Sequence, residues 1–353
     1  MVILFPELHP PNLGFALSAR FRDSDWTFQQ IRPPFDESDP LKFLCESYLE
    51  KDLHYKIVSA SDILSQESFQ GKIIWIEFND FHTWEKWAGF LSLFQQACKA
   101  TSLMRRSMIC ACVIGESANV IPEKDACLDV FKWNDCVNSL DMLIYVHMKV
   151  ESTFPSDVHR SIATNIIDSI AMWDPNLADY LASRAIGEIL NPRSLLEQYA
   201  KERNWLPGNA VYSDNNWSKG KTYLWQGKDV CHSAVFALQG PIEELERRIW
   251  SAQVGVLFPF IEECRRRMII GNKLGIMMPF QTEEGKLTSD IRDMEIGQIT
   301  YALQRSKTYV DRELKKLVFV LREMRNDLAH LENVKTSDLL SKEILEYDRI
   351  LDK

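Results

Sequence analysis

Two uninterrupted apolar runs, GKIIWIEFND at 71–80 and SMICACVIG at 107–115, bracket a segment whose large apolar residues recur at helical spacing. A short run that is apolar on successive residues suits a strand covered on both faces, as inside a parallel sheet. Between the runs Trp84, Trp87, Phe90, Leu93, Phe94 and Ala97 fall on one stripe, which predicts a helix over about 82–101. Strand, helix and strand in this order commit the N-terminal part of the chain to an α/β layer. DMLIYVHMKV at 141–150 is expected to add a third long strand, and KIVSA at 56–60 a short one. Residues 1–40 are Pro-rich, close with RPPFDESDP, and predict irregular backbone before a helix at about 40–51.

After Pro155 the pattern turns helical. Asp174-Pro175 and Asn191-Pro192 mark helix starts, since proline is preorganised for the first turn. Residues 204–232 collect Pro, Gly, Asn and Ser with scattered aromatics, and predict a linker or a small irregular β segment. From Pro241 a second helical block begins, with Pro259 an expected kink, Ser289 or Asp290 an expected N-cap, and Thr336 or Ser337 capping a last helix. Its strongest helix carries Val310, Leu314, Leu317, Val318, Leu321, Met324 and Leu328 as an apolar stripe. The expected fold class is therefore multidomain α and α/β. An α/β region with a partly parallel sheet covers 1–150, a helical segment and linker 151–235, and an all-α bundle 236–353.

With 353 residues, 46% of them hydrophobic, the chain is long enough to bury more than one core. Its net charge of -9 excludes a global basic field for nucleic acid. The deficit is uneven: residues 241–353 hold 19 Lys and Arg against 20 Asp and Glu, and the remaining 22 and 30 precede them. None of the eight cysteines forms a C-x-x-C pair, so reduced, mostly buried thiols in a cytoplasmic setting are expected, and no structural zinc. The apolar start MVILFPELHPPNLGF carries Glu7 and three prolines and lacks a basic region, so neither a signal peptide nor a membrane span is expected.

The end of the strongest helix reads REMRNDLAHLE, 322–332. Asn326 and His330 are i and i+4 on a straight helix, and Arg322 lies one turn before Asn326 on the same face. Arg325 and His330 are about 140° apart around the axis at 3.6 residues per turn, so they converge only through a break in the helix or through a second copy of the chain. The residue types suit RNA cleavage, in which a 2′-hydroxyl attacks the adjacent phosphate. His moves protons near neutral pH, Arg steadies phosphoryl charge, and Asn orients the phosphate or the ring. The same residues also make an ordinary solvated helix end.

The hexapeptide Arg325-Asn326-Asp327-Leu328-Ala329-His330 resembles the R-x4-6-H signature of the HEPN superfamily, with a polar residue directly after the arginine. The resemblance covers about 241–350, with MEIGQITYAL similar to the helix that precedes the motif helix in such domains. It implies a metal-independent endoribonuclease that dimerises, placing two motifs at one cleft. Arg325 and His330 would be catalytic and Asn326 would support them. Other HEPN domains are binding or assembly modules.

GKIIWIEFND also resembles a Walker B strand, and the N-terminal element order resembles an AAA or STAND-type ATPase module. Yet no G-x-x-x-x-G-K-[ST] loop exists, and Gly71-Lys72 leads into a strand where a phosphate cradle needs a helix. A degenerate ATPase-like region is expected, with Glu77 and Asp80 in capping or solvent roles. Arg265, Arg266 and Arg267, with Arg247 and Arg248 before them, are either a solvated face balanced by Glu243, Glu244, Glu262 and Glu263 or a phosphate track. The aromatics from Trp205 to Trp225 either stack bases or pack a loop.

Taken with the resemblance, the sequence predicts an endoribonuclease of a prokaryotic antiviral defence or toxin-like system with a regulatory N-terminal region. Arg325, Asn326 and His330 would be its catalytic residues, and Arg322, Arg265, Arg266 and Arg267 its RNA contacts. RNA, a second copy of the chain and proteins of a defence complex are the expected partners, with no cofactor, metal or membrane. The competing reading is a non-catalytic interaction or scaffold subunit.

Overall fold

The computed structural model describes residues 1–6, 13–32, 39–102, 106–133, 136–150, 154, 156–207, 216–271, 273–283, 285–305 and 309–352. The chain forms two compact units, Met1–Cys136 with Ala210–Cys231, and Val137–Asn209 with His232–Lys353.

In the first unit β1 (Val2–Phe5), β2 (Thr27–Ile31), β3 (Lys72–Phe78), β4 (Met108–Ile114) and β5 (Val130–Lys132) form one sheet in the order β2-β3-β4-β1-β5. Every pairing in it is parallel, with Trp75 opposite Cys110 and Ile3 opposite Cys112. The two apolar runs are β3 and β4, side by side at the centre. Covered on both faces, they are buried along nearly their whole length. Helix α1 (Leu13–Phe21) lies against β2, while α2 (Pro40–Tyr48), α3 (Ala60–Leu64) and α4 (Phe81–Lys99) complete the layers. Helix α4 starts where Asp80 accepts the Thr83 N–H at 2.8 Å, and it buries Trp84, Trp87, Phe90, Leu91 and Phe94. A two-stranded hairpin, β6 (Thr222–Trp225) and β7 (Lys228–Cys231), belongs to the same unit. It turns through Gln226 and Gly227 at φ 51 and 72, the left-handed pair that a tight hairpin turn requires.

Three sequence expectations give way here. Residues 1–40 contain β1, α1 and β2; these elements are short, and pairing with β3 and β4 supplies what their own pattern lacks. Residues 56–60 form no strand. Ser59 and Asp62 make a capping box that turns the chain into α3, because the Ser hydroxyl and the Asp carboxylate satisfy each other's backbone N–H groups. Residues 141–150 are helix α5 (Ser139–Val150), with Met142, Val146 and Val150 buried at four-residue spacing. An apolar run reads alike for a strand and a helix until a neighbour selects the face.

The second unit begins with α5 and continues with α6 (Asp157–Ala171), α7 (Pro175–Ala182), α8 (Ile186–Leu190) and α9 (Arg193–Glu202). It resumes with α10 (Ser233–Gln239), α11 (Ile242–Ile270), the short pair β8 (Phe280–Gln281) and β9 (Leu287–Thr288), α12 (Ile296–Arg305) and α13 (Arg312–Ala329). Helices α14 (Thr336–Leu339), α15 (Lys342–Leu345) and α16 (Tyr347–Asp352) close it. Helix α6 packs along α11, and α13 packs on α11 and α12. Pro259 lies inside α11, which runs on as one helix. Asp290 caps only a 3-10 turn at Ile291–Asp293, and α12 starts afterwards at Ile296. The single last helix expected from Thr336 onward is three short ones, because Ser341 recaps the chain at Ile344.

Candidate functional site

Helix α13 starts where Asp311 accepts the Glu313 and Leu314 N–H groups at 2.8 and 3.2 Å. It buries Leu314, Leu317, Val318, Leu321, Met324 and Leu328, the stripe legible in the sequence. Asp327 stands between the last two and is carried into the interior with them, 8% exposed. Arg322, Arg325 and Asn326 are half-buried beside the stripe, and His330 is exposed.

The helix stays intact through Ala329, with His330 as its C-cap. Glu332 N–H then donates to the Asp327 carbonyl at 2.9 Å and Leu331 N–H to the Leu328 carbonyl at 3.3 Å. Leu331 adopts φ 63. These two bonds with a left-handed residue between them are a Schellman stop. The chain therefore breaks after His330, too late to swing the ring back toward Arg325, and the separation of about 140° stands within one chain. Helix α11 pins this turn: Trp250 Nε1 donates to the Leu328 carbonyl at 3.0 Å, and Gln253 Oε1 accepts the Val334 N–H at 2.8 Å.

His330 donates its backbone N–H to the Asn326 and Asp327 carbonyls, while its ring makes no hydrogen bond among the described residues. The Asn326 amide is likewise free there. Arg325 Nη2 pairs with Glu295 Oε2 at 2.9 Å, an exposed pair worth no more than about 1 kcal/mol that exchanges readily with solvent or another anion. Arg322 pairs with Glu323 at 2.6 Å and has a buried Nε without a partner.

The structure brings Arg325 and Arg265 to the walls of one cleft of about 350 Å³, together with Arg292, Glu262, Asp293, Glu295 and the apolar Phe258, Met294 and Ile296. Arg265 is held by Glu262 at 2.8 Å and by the carbonyls of Arg292 and Met294 at 3.1 Å each. Arg266 pairs with Glu263 at 2.7 Å. Arg267 pairs with Asp348 and Asp352 at 2.6 Å each and ties α11 to α16. His330 is not among the residues lining this cleft. Arg292 and Glu295 escaped sequence reading. Their segment read as part of the helix before α13, with no site role, and their place depends on how α12 docks on α13.

A second polar cluster also lay outside sequence reach. Asp174, at the start of α7, accepts the Asn176 and Leu177 N–H groups at 2.9 and 3.3 Å, the Tyr199 hydroxyl at 2.6 Å and His232 Nε2 at 3.3 Å, with Arg203 at 3.4 Å. Burial pushes the Asp174 carboxyl up, yet the His232 hydrogen bond and the Arg203 charge outweigh it and hold it well below the carboxylate range. Burial pushes His232 down despite Asp174. Its Nδ1 accepts the Ala234 N–H at 3.2 Å, which fixes the neutral ring with its proton on Nε2. Both ring nitrogens are occupied and the ring is fully buried, so this network holds α7, α9 and α10 together.

In the first unit, Glu77 accepts the Trp75 indole N–H at 3.0 Å and the Gln30 amide at 3.3 Å, and Asp80 is the cap of α4. Trp205 is buried against His232, with ring centroids 5.0 Å apart, and Trp225 is buried as well, so these two offer no stacking face. No family model, curated protein or solved structure matches the chain.

Proposed function

We propose that the chain is a metal-independent endoribonuclease of the HEPN type, acting in a prokaryotic defence or toxin-like system, whose active site is completed by a second copy of itself. The observation that carries this reading is the His330 ring, exposed and without a hydrogen-bond partner among the described residues, at the end of the helix that also presents Arg325 and Asn326. In the proposed step one His330 takes the proton of a 2′-hydroxyl as its oxygen bonds to the adjacent phosphorus. The P–O5′ bond breaks, and the partner's His330 gives a proton to the leaving oxygen. The products are a 2′,3′-cyclic phosphate and a 5′-hydroxyl. Arg325, released from Glu295, steadies the phosphoryl oxygens, and Asn326 orients them. Because the helix breaks only after His330, the two functions meet across a two-fold axis more readily than within one chain.

The N-terminal unit is assigned a regulatory role, supported by its all-parallel sheet and by an acidic residue at the end of a central strand in the manner of an ATPase fold. Gly71 and Lys72 open that strand and cradle nothing. One observation favours the second reading, an interaction subunit: Arg265, Arg266, Arg267 and Arg325 all have carboxylate partners, which leaves little free positive charge for RNA.

The deciding experiment incubates wild type, Arg325→Ala and His330→Ala with total RNA in EDTA. Cleavage by wild type that is lost in both variants, with ends carrying cyclic phosphate, supports the nuclease. No cleavage by wild type moves the weight to the interaction subunit.

A further inference from the structure

A cavity of the first unit lies at the amino end of the strands, opposite to the end where open α/β folds usually bind ligands. It encloses about 730 Å³, within the range of small-molecule sites. Its walls come from residues at or just before the amino ends of the strands, such as Trp26, Met108 and Asp129, and from the C-terminal half of α4. Phe94 and Leu91 form an apolar floor, and Phe131 and Met108 remain partly exposed at the mouth.

Two polar features distinguish this cavity from a packing defect. Gln95 lines it, is only 7% exposed, and its Oε1 has no hydrogen-bond partner. A buried carbonyl oxygen left unpaired costs about 1 to 3 kcal/mol, and a turn of the Gln95 amide toward the cavity lets a ligand N–H or O–H remove that cost. Arg106, on the same wall, spends Nε on the Thr101 carbonyl at 2.9 Å and Nη1 on the Cys127 thiol at 3.7 Å, and pairs with no carboxylate among the described residues. The two lysines nearby are matched, Lys124 with Asp129 at 2.5 Å and Lys99 with Asp125 at 2.6 Å, and the Met1 ammonium donates to the Ile109 carbonyl at 2.7 Å. Arg106 is therefore a cation without a carboxylate partner among the described residues, beside an apolar floor. The Cys98 thiol is silent: burial, then the neighbouring Cys127, pushes it up to about 11, so it stays protonated.

We infer that this cavity binds a flat aromatic small molecule that carries one N–H or O–H donor for Gln95 Oε1 and one anionic group for Arg106. The ring system rests on Phe94 and Leu91, and the anion faces the mouth. The inference stands on the first unit alone and is independent of the nuclease reading.

Anilinonaphthalene sulfonate has these three parts, an aromatic system, one N–H and one sulfonate, and it fluoresces when it leaves water. Titrated into the native full chain, it is expected to saturate at one site per chain. Arg106→Gln is expected to weaken that binding about tenfold or more, the loss of a charge-assisted hydrogen bond. Ala126→Trp, an exposed change at the rim that leaves the core untouched, should block it while the melting temperature is kept. Gln95→Leu separates a ligand contact from a structural role: it should raise the melting temperature of the free protein and weaken the dye. Absence of saturable binding to wild type overturns the inference. So does binding that survives both Arg106→Gln and Ala126→Trp.

Discussion

Arg325 Nη2 sits 2.9 Å from Glu295 Oε2, so the motif arginine is held at the mouth of a charged cleft by the residue just ahead of α12. Under the nuclease reading this carboxylate competes with a phosphate for the same guanidinium. Glu295→Gln is expected to tighten binding of a fluorescent single-stranded RNA severalfold at low salt. Because the pair is exposed, stability should change by no more than about 1 kcal/mol. Unchanged or weaker RNA binding in an anisotropy titration would count against a phosphate-binding role for Arg325.

A composite site makes a mixing prediction. Under the nuclease reading His330→Ala and Arg325→Ala should each be inactive, and co-refolding wild type with excess His330→Ala should depress cleavage below simple dilution, since a mixed dimer keeps only one of the two histidines that the step uses. Each variant should sediment as the wild type does. Active monomers, or mixtures whose cleavage simply follows the wild-type fraction, would rule out the two-copy site.

Leu331 holds φ 63 while 72% exposed, so it bears the left-handed strain of the helix stop with little burial in return. Leu331→Gly should stabilise the chain by about 1 kcal/mol, since glycine takes this conformation without a Cβ clash. Thermal unfolding reads the change, and a lower melting temperature would show that the exposed side chain contributes more than its accessibility suggests.

Asp174→Ala leaves Arg203, Tyr199 and His232 facing an empty position in the interior and removes the cap of α7. Breaking a buried charged network in this way costs about 3 to 5 kcal/mol. Asp174→Asn keeps a side-chain acceptor for the cap and should cost less. Equal losses in urea unfolding would assign the whole effect to the lost charge and none of it to the cap.

Acid should destabilise the second unit through its buried histidines. His159 and His232 are both pushed below the usual 6.5 by burial. The unfolded chain therefore takes up protons first: their stabilisation is full above about pH 6.5 and is lost as pH falls from there through the lower folded values. Asp168 works in the opposite sense. Burial pushes it up to about 6 from 3.8, so its contribution is present below 3.8 and lost as pH rises through about 6. Asp168→Asn should then stabilise the chain near neutral pH by about 1 to 2 kcal/mol, discounted for partial solvent access, and steepen the acid loss. A melting temperature flat from neutral pH down to about pH 5 in that variant would exclude titrating histidines as the cause.

The elements that announced themselves in the sequence carry their whole pattern locally. Strands β3 and β4 are apolar at successive residues, α4 and α13 repeat apolar residues at helical spacing, and Asp174 with Pro175 opens the helix that follows. Residues 141–150 misled because Leu140, Ile144 and Met148 are apolar yet exposed, so the run is apolar on both faces although only one is used. Strands β1 and β2 are too short to be told from loop until they pair with β4 and β3.

For the candidate site the division is similar. Residue spacing alone fixed that Arg325 and His330 lie on different sides of one helix, since helical geometry is the same in every context. Tertiary structure decided that the helix stops after His330, that Asp327 goes inward, and that Glu295 and Arg265 meet Arg325 at one cleft. It also decided that Asp174 and His232, far apart in the chain, share a buried hydrogen bond. Propensity and periodicity act over a few residues. The partners of a charge are set by which helices pack, and packing is a property of the whole unit.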